Sequence, residues 1–344
     1  MRLKTSVLIP TYRRPHQLGK CLQSLNCQTM MPDEVLVVWQ TSDVMTKEAA
    51  EQQAAIVTYP LRILHLPEAG IVPAENMALG HATGDIILMI DDDAIAPPDW
   101  LARHLSHYCD PQVGAVGGPA DNFMADGTVF PKRAAEPVGK LTWYGKAIGN
   151  MHDQPVHWRK RNPVKVDHAV GYNLSLRRKA FDHFEESLKP YWQMFEMDAC
   201  LQVRARGFRV LFDFANVVEH YPTNAVYNGS REGDLQVKVL NSAFNQAFVI
   251  AKHSSAALNL FRMVYLFMVG SIATPGLLGY AFAVKRHGNP KRELRLLIDC
   301  LRFRAQGWKA GIKSRRLPAE REDHQVASVQ HVEISEQPNV RTLL

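Results

Sequence analysis

Neither of the glycine loops that commonly cradle phosphates is present. No GxGxxG follows the first strand-like run, and no GxxxxGK[ST] occurs anywhere. This argues against a dinucleotide-dependent dehydrogenase and a P-loop ATPase, and leaves a bound metal as the natural way to hold phosphate. Cysteine is scarce, with five in 344 residues and no CxxC pair. A disulfide framework is thereby excluded, and the thiols are expected to be reduced, intracellular and used as small apolar residues. No secretory leader is expected, because Met1 to Lys4 runs at once into Ser6-Val7-Leu8-Ile9. The Asn228-Gly229-Ser230 triplet is then not expected to carry a glycan. Excess charge is also missing over most of the chain. Residues 285–316 hold eleven Lys or Arg against Glu293 and Asp299, a local +9 within a total of +6, which leaves −3 elsewhere. The basic charge is a local device, and nucleic acid is not the expected partner.

At 46% hydrophobic and 22% charged residues, the chain can build one large or two ordinary cored domains. Its organising stretch is Gly84-Asp85-Ile86-Ile87-Leu88-Met89-Ile90, followed by Asp91-Asp92-Asp93. An apolar run between a glycine turn and a run of acids predicts a buried strand with carboxylates at its C-terminal end. Three adjacent carboxylates repel one another unless a cation or a cation-bound ligand neutralises them. Continued strand alternation turns Asp91 and Asp93 the same way and Asp92 elsewhere. Hard oxygen ligands suit Mg2+ or Mn2+. Such a triplet alone is more often a solvated acidic loop, or a cap for the helix after Pro97-Pro98-Asp99.

The remainder alternates strand and helix. Ser6–Ile9 leads through Pro10-Thr11-Tyr12-Arg13-Arg14-Pro15 into a helix carrying Leu18, Cys21, Leu22 and Leu25. Further strands are predicted at Glu34–Trp39, Leu61–Leu66, Val113–Gly118, Gly171–Arg178, Phe208–Phe212 and Val217-Val218. Helices are predicted near 45–56, over Pro73–His81 and from Phe195 to Gly207. This pattern implies an α/β fold with a mostly parallel sheet covered on both faces, whose ligands bind beyond the strand C-termini. The glycines at 114–118 suit either close approach of a ligand or a plain turn. The aperiodic, aromatic stretch from Pro119 to Val166 suggests a substrate loop. Glu196 and Asp198 open a helix, where acids are favoured by the macrodipole alone. A lone histidine at a strand end, such as His220, is more often structural.

Taken in order, Pro10-Thr11-Tyr12-Arg13-Arg14, the strand ending in Asp91-Asp92-Asp93, Gly171-Tyr172-Asn173-Leu174-Ser175-Leu176-Arg177-Arg178, Phe195-Glu196-Met197-Asp198 and Glu219-His220-Tyr221-Pro222 resemble family 2 glycosyltransferases. These are inverting enzymes of the GT-A fold, and the likeness covers roughly residues 4 to 222. The resemblance implies transfer of a sugar from a nucleotide-diphosphate donor to a hydroxyl of a glycan or lipid-linked acceptor. It implies that Pro10, Thr11, Tyr12 and Arg13 line the nucleotide, that Asp91 contacts the ribose side, and that Asp93 and His220 hold the metal. Asn76 and Asp92 join the donor-binding set, and Gly118, Gly171 and Asn173 the acceptor-binding set. Glu196 falls at the catalytic base and Asp198 at its neighbour. The chain departs from the pattern in two places, with Trp39-Gln40 where an acid often follows the second strand and Glu75-Asn76 where Arg-Asn is frequent. Those departures leave room for an inactive nucleotide-sugar-binding or scaffold protein. A processive synthase is not expected, since Gln-x-x-Arg-Trp is absent after the base.

Met263–Val284 carries no charge for 22 residues, long enough to cross a bilayer, but contains Pro275-Gly276. A single crossing would separate the donor site from the basic cluster, although both belong on the cytoplasmic side. A broken, re-entrant or interfacial segment resolves the conflict, and a buried helix pair is the alternative. Leu294, Leu297, Ile298, Leu301 and Trp308 against Arg295, Arg302 and Arg304 predict an amphipathic surface helix on anionic headgroups. The expected organisation is therefore a catalytic domain at 1–225, a hydrophobic and amphipathic helical membrane-associating region at 226–316, and a disordered tail at 317–344. The expected location is the cytoplasmic face of the inner membrane.

Overall fold

Short β-branched runs bounded by turn residues open the chain as parallel strands with helical crossovers. They are β1 (Thr5–Thr11), α1 (Pro15–Asn26), β2 (Glu34–Gln40), α2 (Val44–Ala54), β3 (Leu61–Leu66), α3 (Ile71–His81) and β4 (Ile86–Met89). The computed structural model describes residues 2–316 except 125, 135, 191–193, 223–234 and 272–273. The expected tail, the boundary at 225 and the Asn228-Gly229-Ser230 triplet lie outside the described residues.

After β4 come β5 (Ala94–Ile95), α4 (Trp100–His107), β6 (Val113–Gly117), β7 (Ala120–Asn122), β8 (Lys140–Leu141), β9 (Ala147–Ile148), β10 (Val164–Val166), β11 (Leu174–Arg177), α5 (Phe195–Ala205), β12 (Arg209–Phe212) and β13 (Val218–His220). The main sheet has the order β10-β12-β6-β11-β4-β1-β2-β3. Strands β4, β1, β2 and β3 are mutually parallel, whereas β11 runs antiparallel between β4 and β6. The predicted strand from Gly171 begins only at Leu174, because Gly171–Asn173 forms a 3-10 turn.

Pleating divides each central strand between two cores. Val7 and Ile9 pack with Leu18, Leu22 and Leu25 of α1, while Leu8 faces Val72, Ala74 and Ala78 of α3. Both faces are dry, so these strands read as continuous apolar runs rather than alternating ones. The acids after β4 therefore emerge at the sheet's C-terminal edge, beside the loop after β1. A second small sheet, β5-β13-β7, closes over this edge.

The C-terminal layer consists of α6 (Leu235–His253), α7 (Ala256–Met268), α8 (Gly279–His287) and α9 (Pro290–Arg316). Gly307 and Gly311 let α9 lie directly on α6, since a Cβ at either would stand 2.2 and 2.3 Å from the carbonyl oxygens of Phe244 and Phe248. The uncharged run 263–284 is not one helix. It breaks between Met268 and Gly279, and among the described residues no helix is long and apolar enough to cross a membrane. The amphipathic reading of α9 needs correction at Arg304, which is fully buried and donates to the carbonyl oxygens of Thr274 and Pro275. It pins the break between α7 and α8 instead of facing headgroups. Leu294 and Ile298 remain exposed on α9, whereas Leu297 and Trp308 are buried.

Candidate active site

Register alone brings a histidine from late in the chain to the acids. In the small sheet His220 pairs with Ala94 on one side and Asn122 on the other, and the Tyr221 N–H donates to the Asp93 carbonyl at 2.9 Å. The His220 Nε2 then lies 3.1 Å from Asp93 Oδ1 and 3.6 Å from Asp91 Oδ2. One ligand atom from each of Asp91, Asp93 and His220 fits within a 4.8 Å span. Burial lowers the basicity of His220, but its bonds to Asp91 and Asp93 outweigh that and raise it to about 9. The other ring nitrogen, Nδ1, lies 2.7 Å from Asn122 Oδ1, and Asn122 Nδ2 donates to Asp153 at 2.9 Å. An imidazole anchored through one nitrogen presents the other to a cation. Two oxygens and one nitrogen suit Mg2+ or Mn2+, and the residues present fit such an ion.

Asp92 is buried and stands outside the group of Asp91, Asp93 and His220. It accepts from Thr11 Oγ1 at 2.7 Å and from Arg14 Nη1 at 2.7 Å, and the same guanidinium nitrogen reaches Asp93 Oδ2 at 2.9 Å. Arg14 thus ties the loop after β1 to the acid triplet and offsets part of its charge. In that loop Arg13 adopts φ 56°, its N–H donates to Asp43, and its guanidinium lies 5.0 Å from the Tyr12 ring centre. Asp43 is engaged there and at the start of α2, where it accepts from Thr46 N. Trp39 stacks on His65 with ring centres 3.9 Å apart, forming a flat aromatic pair at the ends of β2 and β3. Gln40 is buried and bridges Thr11 O and Gly70 N.

On the other side of Asp91, Glu196 sits in the first turn of α5. Gly171 leaves room for it, since a Cβ there would stand 2.9 Å from Glu196 Cγ, and the Gly171 N–H approaches Glu196 Oε1 at 3.4 Å. Burial raises the Glu196 carboxyl, and the charge of Asp91 adds to the effect, to about 7. Glu75 is buried nearby, and burial followed by the charges of Asp91 and Glu196 raises it well above the carboxylate range. Tyr172 lies with its ring centre 5.3 Å from that of His220, and its hydroxyl is 2.8 Å from His152 Nδ1.

Several residues expected at the site are committed to packing. Asp198 is fully buried and turns away from Glu196, toward Lys252 Nζ at 2.9 Å and His253 Nε2 at 2.7 Å on α6. Asn173 accepts from Trp100 Nε1 at 2.9 Å and donates to the carbonyls of Pro119 and Asn216. Its amide is enclosed rather than offered to an acceptor. Gly118 has no space for a side chain, because a Cβ would meet Asn216 O at 2.2 Å. Asn76 holds Phe184, donating to its carbonyl and accepting from its N–H, both at 2.9 Å. Arg14, Asn122, Tyr172 and Glu75 were not among the expected site residues. Arg14 and Tyr172 lie within recognised stretches, but nothing local singles out Asn122.

The family model for glycosyl transferase family 2 matches residues 6–184, and the chain belongs to that family. A glucosyl-dolichyl phosphate glucuronosyltransferase of Haloferax volcanii is 30% identical over 230 residues, covering 63% of this chain and 69% of the relative. Glycosyltransferase AglE of the same organism is 29% identical over 130 residues, 37% of this chain, and the match spans only 43% of AglE. The mannosyltransferase PcManGT of Pyrobaculum calidifontis, solved with GDP-Man and Mn2+, superposes with a TM-score of 0.53 at 18% identity, covering 92% of this chain and 87% of that one. At that identity the likeness establishes the GT-A fold.

Proposed function

We propose that the protein is an inverting glycosyltransferase that moves a sugar from a nucleoside-diphosphate donor to a hydroxyl of a glycan or lipid-linked acceptor, one sugar per encounter. The observation that carries this reading is the placement of Glu196, with its carboxyl pushed to about 7, beside the cation-fitting group of Asp91, Asp93 and His220. A divalent cation held by those three side chains would neutralise charge developing on the diphosphate leaving group. Glu196 takes the proton of the acceptor hydroxyl as its oxygen bonds to the anomeric carbon. The bond to the diphosphate breaks from the opposite face and its electron pair leaves with the nucleotide, which inverts the anomeric configuration. A base with pKa near 7 is half ionised at neutral pH and still basic enough to accept the proton. The flat Trp39–His65 pair and the loop at Thr11, Tyr12 and Arg13 supply the surface for the base and ribose. The test is product analysis of the wild type and Glu196→Gln with manganese and a panel of nucleotide sugars. A wild type that binds donors with no turnover would instead support an inactive scaffold.

The same reading places the enzyme on the cytoplasmic face of the inner membrane. Leu260, Phe261 and Val264 on α7, Leu278 before α8 and Phe282 within it are exposed, and Trp143 of the insert lies 6.3 Å from Phe261. An apolar face continuous with the insert, next to basic Lys291, Arg292 and Arg295 on α9, suits an anionic lipid surface bearing a lipid-linked acceptor. Flotation with vesicles containing phosphatidylglycerol, compared with neutral vesicles, checks this. Unchanged flotation of the double variant Phe261→Ser, Phe282→Ser would count against it.

A further inference from the structure

We propose that Glu75 is a specificity-determining residue that hydrogen-bonds one hydroxyl of the sugar carried by the donor. The inference rests on the transferase reading above and extends it to a residue with no role there. Glu75 projects from α3, whose neighbouring positions Val72, Ala74 and Ala78 are packed into the core, so the helix cannot roll to expose it. Its side chain is only 3% exposed, and its Oε2 is enclosed without a hydrogen-bond partner. A buried carboxyl oxygen with an unmade bond is costly to retain, and such atoms call for an occupant that completes them.

What surrounds Glu75 indicates the occupant. Its carboxyl lies close enough to feel the charges of both Asp91 and Glu196. Asp91 marks the diphosphate end of the donor, and Glu196 marks the acceptor hydroxyl that attacks the anomeric carbon. A group near both addresses the sugar between them. A second metal ion is not favoured there, because among the described residues Glu75 belongs to no group of three or more side chains that could hold one. A neutral hydroxyl, which can donate to or accept from a carboxyl group, completes the free oxygen without adding charge beside two other acids.

The experiment uses the full chain, manganese, and UDP- and GDP-linked hexoses to find the best donor, followed by its singly deoxygenated forms. The wild type is expected to prefer the parent sugar over one deoxy form by about 100-fold or more in kcat/KM, as sites built around a hydroxyl do. Glu75→Ala is expected to collapse that ratio to about threefold at one ring position while leaving the other positions unchanged. Glu75→Gln, which keeps both a donor and an acceptor, is expected to retain most of the preference. Binding of UDP or GDP with manganese serves as the folding control. Discrimination unchanged at every ring position in folded Glu75→Ala overturns the inference while leaving the transferase reading intact. Equal losses on all donors, or a shifted pH profile with unchanged discrimination, also overturn it by assigning Glu75 to support of Glu196. A wild type that neither binds nor turns over any donor overturns both.

Discussion

Replacing Glu196 by glutamine separates chemistry from stability, because one carboxyl is expected to serve the first at the expense of the second. In the unfolded chain this group ionises near 4.5, whereas in the folded protein burial and then Asp91 hold its proton until about 7. A folded value above the unfolded one favours the folded state below 4.5, and that contribution is lost as pH rises through about 7. The difference corresponds to at most about 3 kcal/mol, less after allowing for the solvent that reaches a half-buried group. Glu196→Gln has no charge to bury. Its stability relative to the wild type should therefore grow between pH 5 and pH 8 by an amount approaching that figure, while transfer falls by about 100- to 10,000-fold, as expected on loss of a general base. Urea unfolding at the two pH values without divalent cation measures the first effect, and sugar transfer with manganese the second. The wild-type kcat/KM should also rise with pH and level off above about 7. A variant equally stable relative to wild type at both pH values and still active would show that Glu196 is neither strained nor the base.

Other perturbations probe separate parts of the structure. His220→Ala removes one of three cation-fitting side chains, so manganese plus a nucleoside diphosphate should raise the melting temperature of the wild type but not of the variant. Asp198→Ala strips Lys252 and His253 of a fully buried partner and should cost roughly 3–5 kcal/mol in denaturant unfolding. A cost below about 1 kcal/mol would show that the network is solvated. Gly118→Ala forces a methyl group against Asn216 O and should destabilise by about 1–3 kcal/mol, measured by the same unfolding curves.

Most of the fold was legible because its signals are local. Strand and helix alternate at ordinary spacings, and the apolar run before Asp91 does form a buried strand, at Ile86–Met89. Asp91 and Asp93 do meet in one group, but through a turn rather than strand alternation, because β4 ends at Met89 and the Ala94 N–H donates back to the Asp91 carbonyl across the acids. The sequence was silent where a role depends on distant pairing. Asn122 reaches His220 only through the small sheet, and Asp198 meets its partners on a helix more than fifty residues later. Asn173 and Gly118 stood in suggestive motifs, yet their surroundings are Trp100 and Asn216, which no spacing rule brings together. Arg304 looked like a solvated cation because its helical position falls on a polar stripe, and only the chain break it caps takes it inside. Buried polar partners across long separations are the information that periodicity does not carry.

The link between α5 and the C-terminal helices bears on how far this domain can be treated as a module. Asp198, two residues beyond Glu196, is held by Lys252 and His253, while Glu185 joins Lys252 and Ser314 in the same network. Grafting a foreign C-terminal region onto residues 1–225 would leave Asp198, on the helix that carries Glu196, without its counter-charges. A chimaera that preserves turnover must carry α6 and α9 along with the donor-binding half.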